Sequence, residues 1–238
     1  MIDSHTHLGN FPLFNVSMNS DQMIELMDEF GIELSIVFSL PNSLTLEAVK
    51  KHPGRFAGLV WVDPKRGVEA AEDAEKAIRE WGFKGVKMHP LIDSFLPDDK
   101  LINPVMEVAR KLQVPVLFHC GHPPWSLPWH FGNLADRFPD VKIILGHMGH
   151  GHIVYINGSI EMALKHENLY LETSGMPMHS KVKEAVEKVG AERVLYGSDM
   201  PFGHPGFELP KIRVAGLSER ELSQVLNSNA RTLFKLTR

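Results

Sequence analysis

The stretch Ile2-Asp3-Ser4-His5-Thr6-His7 near the N-terminus indicates both a fold and a chemistry. Ile2 to His7 is predicted to be a short β-strand. Side chains alternate between the two faces of a strand, so His5 and His7 should point to the same side. Two imidazoles one residue apart can bind a single metal ion. The motif alone is weak evidence, because the chain contains 13 histidines. Its meaning depends on whether further ligands follow later strands.

Length, composition and charge limit the classes of protein to which this chain can belong. The chain has 238 residues, 43% of them apolar, which suits one large α/β domain. The formal charge of −4 gives no general attraction to nucleic acid, and no apolar run could span a bilayer. No secretory signal is visible, and Cys120 is the only cysteine, which is compatible with a reducing cytoplasm. We therefore expect a cytoplasmic protein with a small-molecule substrate and no nucleic-acid or membrane partner.

Strand-like and helix-like stretches alternate along the chain. Continuous apolar strands favour a parallel sheet buried on both faces, and eight β/α units in about 240 residues are typical of a TIM barrel. The sequence therefore predicts an α/β fold, a (β/α)8 TIM barrel, as a single domain over residues 1–238. The predicted strands cover residues 2–7, 34–38, 56–62, 83–88, 114–119, 141–145, 169–172 and 193–197.

The segments between these strands have apolar residues at helical spacing and are predicted to be helices. The alternative fold is an open, doubly wound sheet, but neither G-x-G-x-x-G after the first strand nor a P-loop is present. The barrel is therefore favoured. The predicted helices cover residues 20–30, 44–51, 67–81, 103–112, 127–138, 159–165, 181–189 and 218–236.

The carboxyl ends of the predicted strands test the metal hypothesis, because TIM-barrel active sites lie there. His119 ends the fifth strand, His147 follows the sixth, and Asp199 follows the eighth. Lys87 lies near the end of the fourth strand, where a buried lysine is rare without a partner. Taken singly, each could be a hydrogen-bonded structural residue or a helix cap. Together with the N-terminal histidine pair they predict a metal site.

These residues belong to a series of motifs that resembles the amidohydrolase superfamily. Within it, the sequence is similar to the amidohydrolase-related branch, which includes aminocarboxymuconate-semialdehyde decarboxylase and many uncharacterised metal-dependent hydrolases. The resemblance runs from Ile2 to Leu236 in matching order, and it implies a barrel of the metal-dependent hydrolase type. It is specific as to superfamily and not as to substrate. The motifs are D-x-H-x-H at 3–7, G-V-K-M-H-P at 85–90, P-V-L-F-H-C-G at 115–121, I-I-L-G-H-M-G at 143–149, L-Y-G-S-D-M-P-F at 195–202 and S-N-A-R-T-L-F-K-L at 228–236.

The resemblance implies roles for these side chains. His5, His7, His119 and Asp199 would bind a divalent metal, most often zinc, with Mn²⁺ or Fe²⁺ as alternatives. A metal with an open position lowers the pKa of bound water toward ~7 and polarises a carbonyl group. Asp199 would take a proton from that water and pass it to the leaving group. His147 would be the acid–base residue of a one-metal site or a ligand in a two-metal site.

The chemical state of Lys87, carboxylated or unmodified, bears on whether the site holds two metal ions or one. In some relatives, including dihydroorotases, a lysine at the end of strand four is carboxylated and bridges two metals, and the run K-M-H-P resembles their layout. The alternative is an unmodified Lys87 that hydrogen-bonds a ligand or pairs with Asp199. His89 is a candidate substrate contact if the strand continues, whereas Pro90 could turn it away.

The loops after the strands are expected to choose the substrate. Trp125 is a candidate substrate contact there, or it could simply cover the barrel end. The loops after the first, fifth and sixth strands contain no Lys or Arg, whereas decarboxylases of this branch usually hold the substrate carboxylate with an arginine. This favours a hydrolase of a small amide, lactone or ester. The alternatives are a nonoxidative decarboxylase of a small unsaturated or aromatic carboxylate and a non-catalytic metal- or ligand-binding barrel. A homodimer is the predicted assembly.

Overall fold

A computed structural model describes residues 1–236 of the chain, and its nine strands form a single sheet. The order of the strands follows the chain, except that β2 lies outside β1. Eight strands pair in parallel, while β1 and β2 form an antiparallel hairpin. The strands are β1 (Ile2–Phe11), β2 (Val16–Met18), β3 (Leu34–Ser39), β4 (Phe56–Trp61), β5 (Gly85–Met88), β6 (Val116–His119), β7 (Ile143–Gly146), β8 (Leu169–Glu172) and β9 (Val194–Leu195).

The sheet closes on itself between its last strand and its first. Ser4 N donates to Tyr196 O at 2.9 Å, and His7 N donates to Met200 O at 2.8 Å. Thr6 and Met200 form a parallel bridge. The predicted (β/α)8 barrel is therefore confirmed, with β2 as an addition. β1 is longer than predicted because residues 9–11 find their hydrogen-bond partners in β2, within what was predicted to be a loop.

From β2 onward, at least one helix lies between consecutive strands, as predicted. α1 begins after Asn19, whose side chain accepts from two backbone N–H groups, and it ends at Gly31 in the left-handed conformation. The short helix α4 and the helix α9 were not predicted. The helices are α1 (Ser20–Phe30), α2 (Asn42–Lys51), α3 (Val68–Glu80), α4 (Pro90–Asp93), α5 (Asn103–Leu112), α6 (Pro128–Arg137), α7 (Ile153–Lys165), α8 (His179–Val189), α9 (Pro205–Arg213), α10 (Glu219–Ser223) and α11 (Asn229–Leu233).

The C-terminal helix predicted over residues 218–236 is divided in the structure. The capping box of Ser218 and Glu221 opens α10 as predicted. A π-helical segment, Gln224–Ser228, then separates α10 from α11. None of the helices in residues 1–236 is long and apolar enough to cross a membrane. The single domain over 1–238 stays a prediction, since residues 237 and 238 lie outside the described residues.

Alternation along the strands creates two apolar layers. One lies between the sheet and the helices, and the other fills the barrel, with Ile36, Leu59 and Ile144 fully buried. Burying one such side chain stabilises the fold by about 1.5–3 kcal/mol. Near the carboxyl ends of the strands, inward positions carry polar groups instead, among them His5 and Lys87. The apolar filling therefore ends where the candidate site begins.

Candidate active site

The β1 histidines meet the aspartate that follows β9. His7 Nε2 lies 3.1 Å and His5 Nε2 lies 3.6 Å from the same oxygen, Oδ1 of Asp199. The two imidazole rings are 5.3 Å apart, and both residues are buried. One possible ligand atom from each of the three residues lies within 4.8 Å of the others. Two nitrogen donors and a carboxylate oxygen are a ligand set that suits a divalent metal such as zinc.

Glu172, at the end of β8, holds the His5 ring in place. Its Oε2 accepts from His5 Nδ1 at 2.7 Å and from Ser174 Oγ at 2.8 Å, and the carboxylate also accepts from the backbone N–H groups of Ser174 and His147. Because His5 donates from Nδ1, its Nε2 presents a lone pair toward Asp199. The sequence analysis assigned no role to Glu172. The available signal was a charged residue that closes a buried strand, L-Y-L-E.

Glycines allow β1, β7 and the end of β9 to approach each other around this contact. A Cβ atom at Gly146 would lie 2.7 Å from Phe118 O and 3.0 Å from His5 Cε1. A Cβ atom at Gly197 would overlap the Glu172 carboxylate. The glycines in the motifs L-G-H and Y-G-S-D therefore leave the space in which His5 and Glu172 meet.

His147 follows β7 and lies beside the same carboxylate. Its Nδ1 is 3.1 Å from Ser174 O, an acceptor only, so Nδ1 carries the proton and Nε2 has the lone pair. Its ring is 4.7 Å from the ring of His5. His5, His147 and Glu172 form a second group whose possible ligand atoms lie within 4.8 Å of one another. The predicted choice between an acid–base residue and a metal ligand stays open for His147.

His119, at the end of β6, lines the same cavity but is engaged differently. Its Nε2 hydrogen-bonds His122 Nδ1 at 2.7 Å. Within residues 1–236, His119 belongs to neither of the two close ligand groups. The structure brings its ring to 4.7 Å from that of His147, without placing its nitrogen against Asp199. Its predicted role as a ligand stays a prediction.

Lys87 lies on β5 and is fully buried inside the barrel. Its Nζ is 3.3 Å from His5 Nε2 and 4.7 Å from the centre of the Phe38 ring. Burial lowers the pKa of Lys87 to about 7, against the opposing effect of the Asp199 and Glu172 carboxylates. The amine lies beside His5. Because its pKa is lowered to about 7, it loses much of its positive charge near neutral pH. Carboxylation of Lys87 stays a prediction.

Burial is also the largest influence on the pKa values of His5, His7 and Asp199. It lowers the pKa values of His5 and His7 well below the ordinary histidine value, and the charge of Lys87 adds to the effect. The neutral imidazoles that result are the form that binds metals. Burial also raises the pKa of Asp199 to about 6, while the nearby His147 and Lys87 oppose this rise. Asp199 can therefore hold a proton close to neutral pH.

A cavity of about 510 Å³ opens onto these groups. Part of its lining is apolar and aromatic, with the Phe202 ring 4.7 Å from Phe11 and 5.1 Å from Phe14. The rest is rich in imidazoles, and no Lys or Arg is among the described residues that line the cavity. Trp125 is half-buried and does not line it, whereas Trp61 does. The lining residues are His7, Phe11, Phe14, Val16, Trp61, His89, Leu91, Ile92, His119, His122, His147, His150, Asp199 and Phe202.

Comparison with known proteins identifies the family of the chain. A family model described as amidohydrolase matches residues 2–236. The chain belongs to the amidohydrolase family. This confirms the resemblance that the motifs indicated.

Among curated amidohydrolase-family relatives, two decarboxylases align with nearly the whole chain. A gamma-resorcylate decarboxylase of Polaromonas sp. strain JS666 is 28% identical over 92% of this chain and 88% of its own. A second one, of Rhodococcus jostii strain RHA1, is 25% identical over the same shares. The crystal structure of a dihydroxybenzoic acid decarboxylase from Polaromonas sp. JS666 superimposes with a TM-score of 0.80 at 22% identity, covering 100% of this chain and 97% of that chain. This structure confirms the fold.

The relatives overturn the predicted hydrolase activity. Gamma-resorcylate decarboxylases are lyases, so the expectation of a metal-dependent hydrolase of an amide, lactone or ester was wrong. The expectation rested on the scarcity of Lys and Arg in the loops. That argument failed because a divalent cation can itself balance a carboxylate, without a cationic side chain.

Proposed function

We propose that this protein is a metal-dependent, nonoxidative decarboxylase of a small aromatic carboxylate. The observation that carries the proposal is the similarity to gamma-resorcylate decarboxylases over nine-tenths of the chain. The lining of the cavity supports it, because Phe11, Phe14 and Phe202 line it together with the imidazole groups. An aromatic acid could pack its ring on the phenylalanines and turn its polar substituents to the imidazoles.

A divalent metal would be held by His5, His7 and Asp199, with His119 and His147 as candidates for the remaining positions. When bound, it supplies positive charge that orients and polarises the oxygens of the substrate. Zn²⁺ remains the predicted ion, with Mn²⁺ and Fe²⁺ as alternatives. The Polaromonas decarboxylase structure was determined with bound manganese, which favours testing Mn²⁺ first.

Decarboxylation breaks the bond between the ring and the carboxylate carbon and forms a C–H bond at the same ring carbon. The electron pair of the broken bond stays on the ring, carbon dioxide leaves, and one proton is consumed. Asp199 is the group that we assign to supply that proton, because its carboxyl group lines the cavity beside His7. Its carboxyl group would donate to the ring carbon and then be reprotonated from water.

The test is release of carbon dioxide from metal-reconstituted protein. We expect release from a hydroxybenzoate panel that includes 2,6-dihydroxybenzoate, and loss of that activity after chelation. Matched panels of amides, lactones and esters are the control. Hydrolysis of these compounds without release of carbon dioxide would contradict the proposal. A protein that binds metal and acid but converts neither panel would be the non-catalytic barrel.

Three further features remain predictions beside this function. They are carboxylation of Lys87 with a two-metal site, a homodimer, and a cytoplasmic location. A metal count per chain, with mass measurement of the intact protein under native conditions, tests the first two directly.

A further inference from the structure

His89 follows β5 and forms the N-cap of α4. Its Nδ1 accepts a hydrogen bond from the backbone N–H of Ile92 at 3.2 Å. A ring nitrogen that accepts a hydrogen bond carries no proton, so the proton of this imidazole is on Nε2. The cap of α4 therefore fixes the tautomer of His89.

Ring stacking fixes the orientation of the same side chain. The Trp61 ring lies 5.6 Å from that of His89 at an interplanar angle of 11°, and the His119 ring lies 4.1 Å away on a plane 16° off. Tilting the His89 ring would break the stack, and flipping it by half a turn would break the hydrogen bond to α4. The residue is 7% exposed and lines the cavity. Nε2 is consequently the ring nitrogen left to face a ligand.

The Nε2–H group has no protein acceptor within residues 1–236, because the one hydrogen bond of this ring is made by Nδ1. The cavity wall also lacks a cationic side chain in the part of the chain that the structure describes. Lys87 is fully buried beside His5 and does not line the cavity. An oxygen anion in this cavity therefore meets few protein donors, and His89 is one held at a fixed position.

We propose that His89 is a specificity-determining residue that donates its Nε2–H to an anionic oxygen of the substrate, a carboxylate or a phenolate. The inference rests on the proposed function, since it concerns how the same site selects its acid. A neutral N–H donor at a fixed position orients the substrate oxygen without neutralising its negative charge. An analogue with an apolar group in that place leaves the donor unpaired and should be rejected.

Two substitutions separate this role from the structural role of the ring. His89→Asn retains an acceptor for the Ile92 N–H group, because asparagine is a good N-cap, but it lacks the distal donor. His89→Gln places an amide N–H near the former Nε2 and loses the cap. The measurement is the Kd of 2,6-dihydroxybenzoate for the manganese-loaded protein, by calorimetry. Long-range ¹H–¹⁵N NMR of the wild-type protein reports the tautomer independently of both variants.

We expect His89→Asn to bind the acid about 10- to 100-fold more weakly than wild type, the range for a hydrogen bond to a charged group. His89→Gln should lie closer to wild type, and NMR should show the proton on Nε2. Equal affinity of wild type and His89→Asn would overturn the inference, as would a proton on Nδ1. Failure of the wild-type protein to bind the acid would also overturn it. Binding that depends on His89 without release of carbon dioxide would instead reject the decarboxylase proposal alone.

Discussion

Two groups of imidazoles lie at the candidate site, and they are held in different ways. The ring of His5 on β1 is held by the buried carboxylate of Glu172, and His7 Nε2 lies 3.1 Å from the partly buried carboxylate of Asp199. The rings of His89, His119 and His122 are held mainly by each other, with parallel stacking that begins at Trp61. Glu172 accepts a hydrogen bond from His5 Nδ1, and so fixes the tautomer of His5 and directs its Nε2 lone pair toward Asp199.

Stacking acts on the plane of a ring and does not choose which nitrogen carries the proton. Only His89 in the stacked group gains a fixed tautomer, from the backbone of α4. The carboxylate-held group is therefore prepared to bind a metal, and the stacked group to shape and select a ligand. Substitutions in each of the two groups can test this difference.

Asp199→Asn should have the largest effect. Asparagine cannot carry the proton, so we expect the rate of carbon dioxide release to fall by about 10²- to 10⁴-fold, the usual contribution of a general acid. Steady-state kinetics of the reconstituted protein measure the effect. Circular dichroism should show an unchanged fold, and metal content must be matched to wild type by titration. Retained activity at equal metal content would exclude Asp199 as the proton donor.

Glu172→Gln should weaken the metal site without removing a residue of the His5–His7–Asp199 group. The neutral amide accepts a weaker hydrogen bond from His5 Nδ1, so we expect metal affinity about 10- to 100-fold lower. Competition with a chromogenic chelator measures it, independently of turnover. Complete loss of binding would indicate that Glu172 is itself a ligand.

His122→Asn is the matched control from the stacked group. It removes the imidazole that contacts His119 Nε2 and leaves every carboxylate in place. We expect a smaller change in metal affinity than for Glu172→Gln, less than about tenfold. If His122→Asn lowered metal affinity more than Glu172→Gln does, the stacked group and not the carboxylate-held group would support metal binding.

Asp3→Asn should have the smallest effect, on stability. Burial raises the pKa of Asp3 from 3.8 to about 7, although its Oδ1 accepts from the backbone of His5 and Ser198. Between these pH values the folded, metal-free protein holds one more proton at this site than the unfolded chain. This group therefore stabilises the fold less as pH rises, by about 1.4 kcal/mol per unit.

Urea unfolding of metal-free wild type and Asp3→Asn at pH 5.5 and 6.5 measures this difference. The variant lacks the ionisable group, so its free energy of unfolding should decrease less over that interval. Parallel pH dependence of the two proteins would show that Asp3 does not titrate in this range.

Much of the site could be predicted from strand ends. His5, His7 and Asp199 were found because they lie at or just after the carboxyl ends of the predicted strands, and the structure brings them together. Glu172 lies at such an end too, but a single glutamate at the end of a strand has no motif to mark it. Trp125 was singled out as an aromatic loop residue, whereas the cavity is lined by Trp61, the last residue of β4, and by the aromatic residues of the β1–β2 hairpin.

The sequence by itself determined the barrel, its family and the first metal-ligand candidates, because alternation of side chains and strand order are local properties of the chain. Only the tertiary structure decided which groups hold those ligands. The contact between His5 and Glu172 joins residues 167 positions apart, across the closed barrel. The orientation of the His89 ring likewise depends on stacking between Trp61 of β4 and His119 of β6. Such contacts follow from closure of the sheet, which no local pattern encodes.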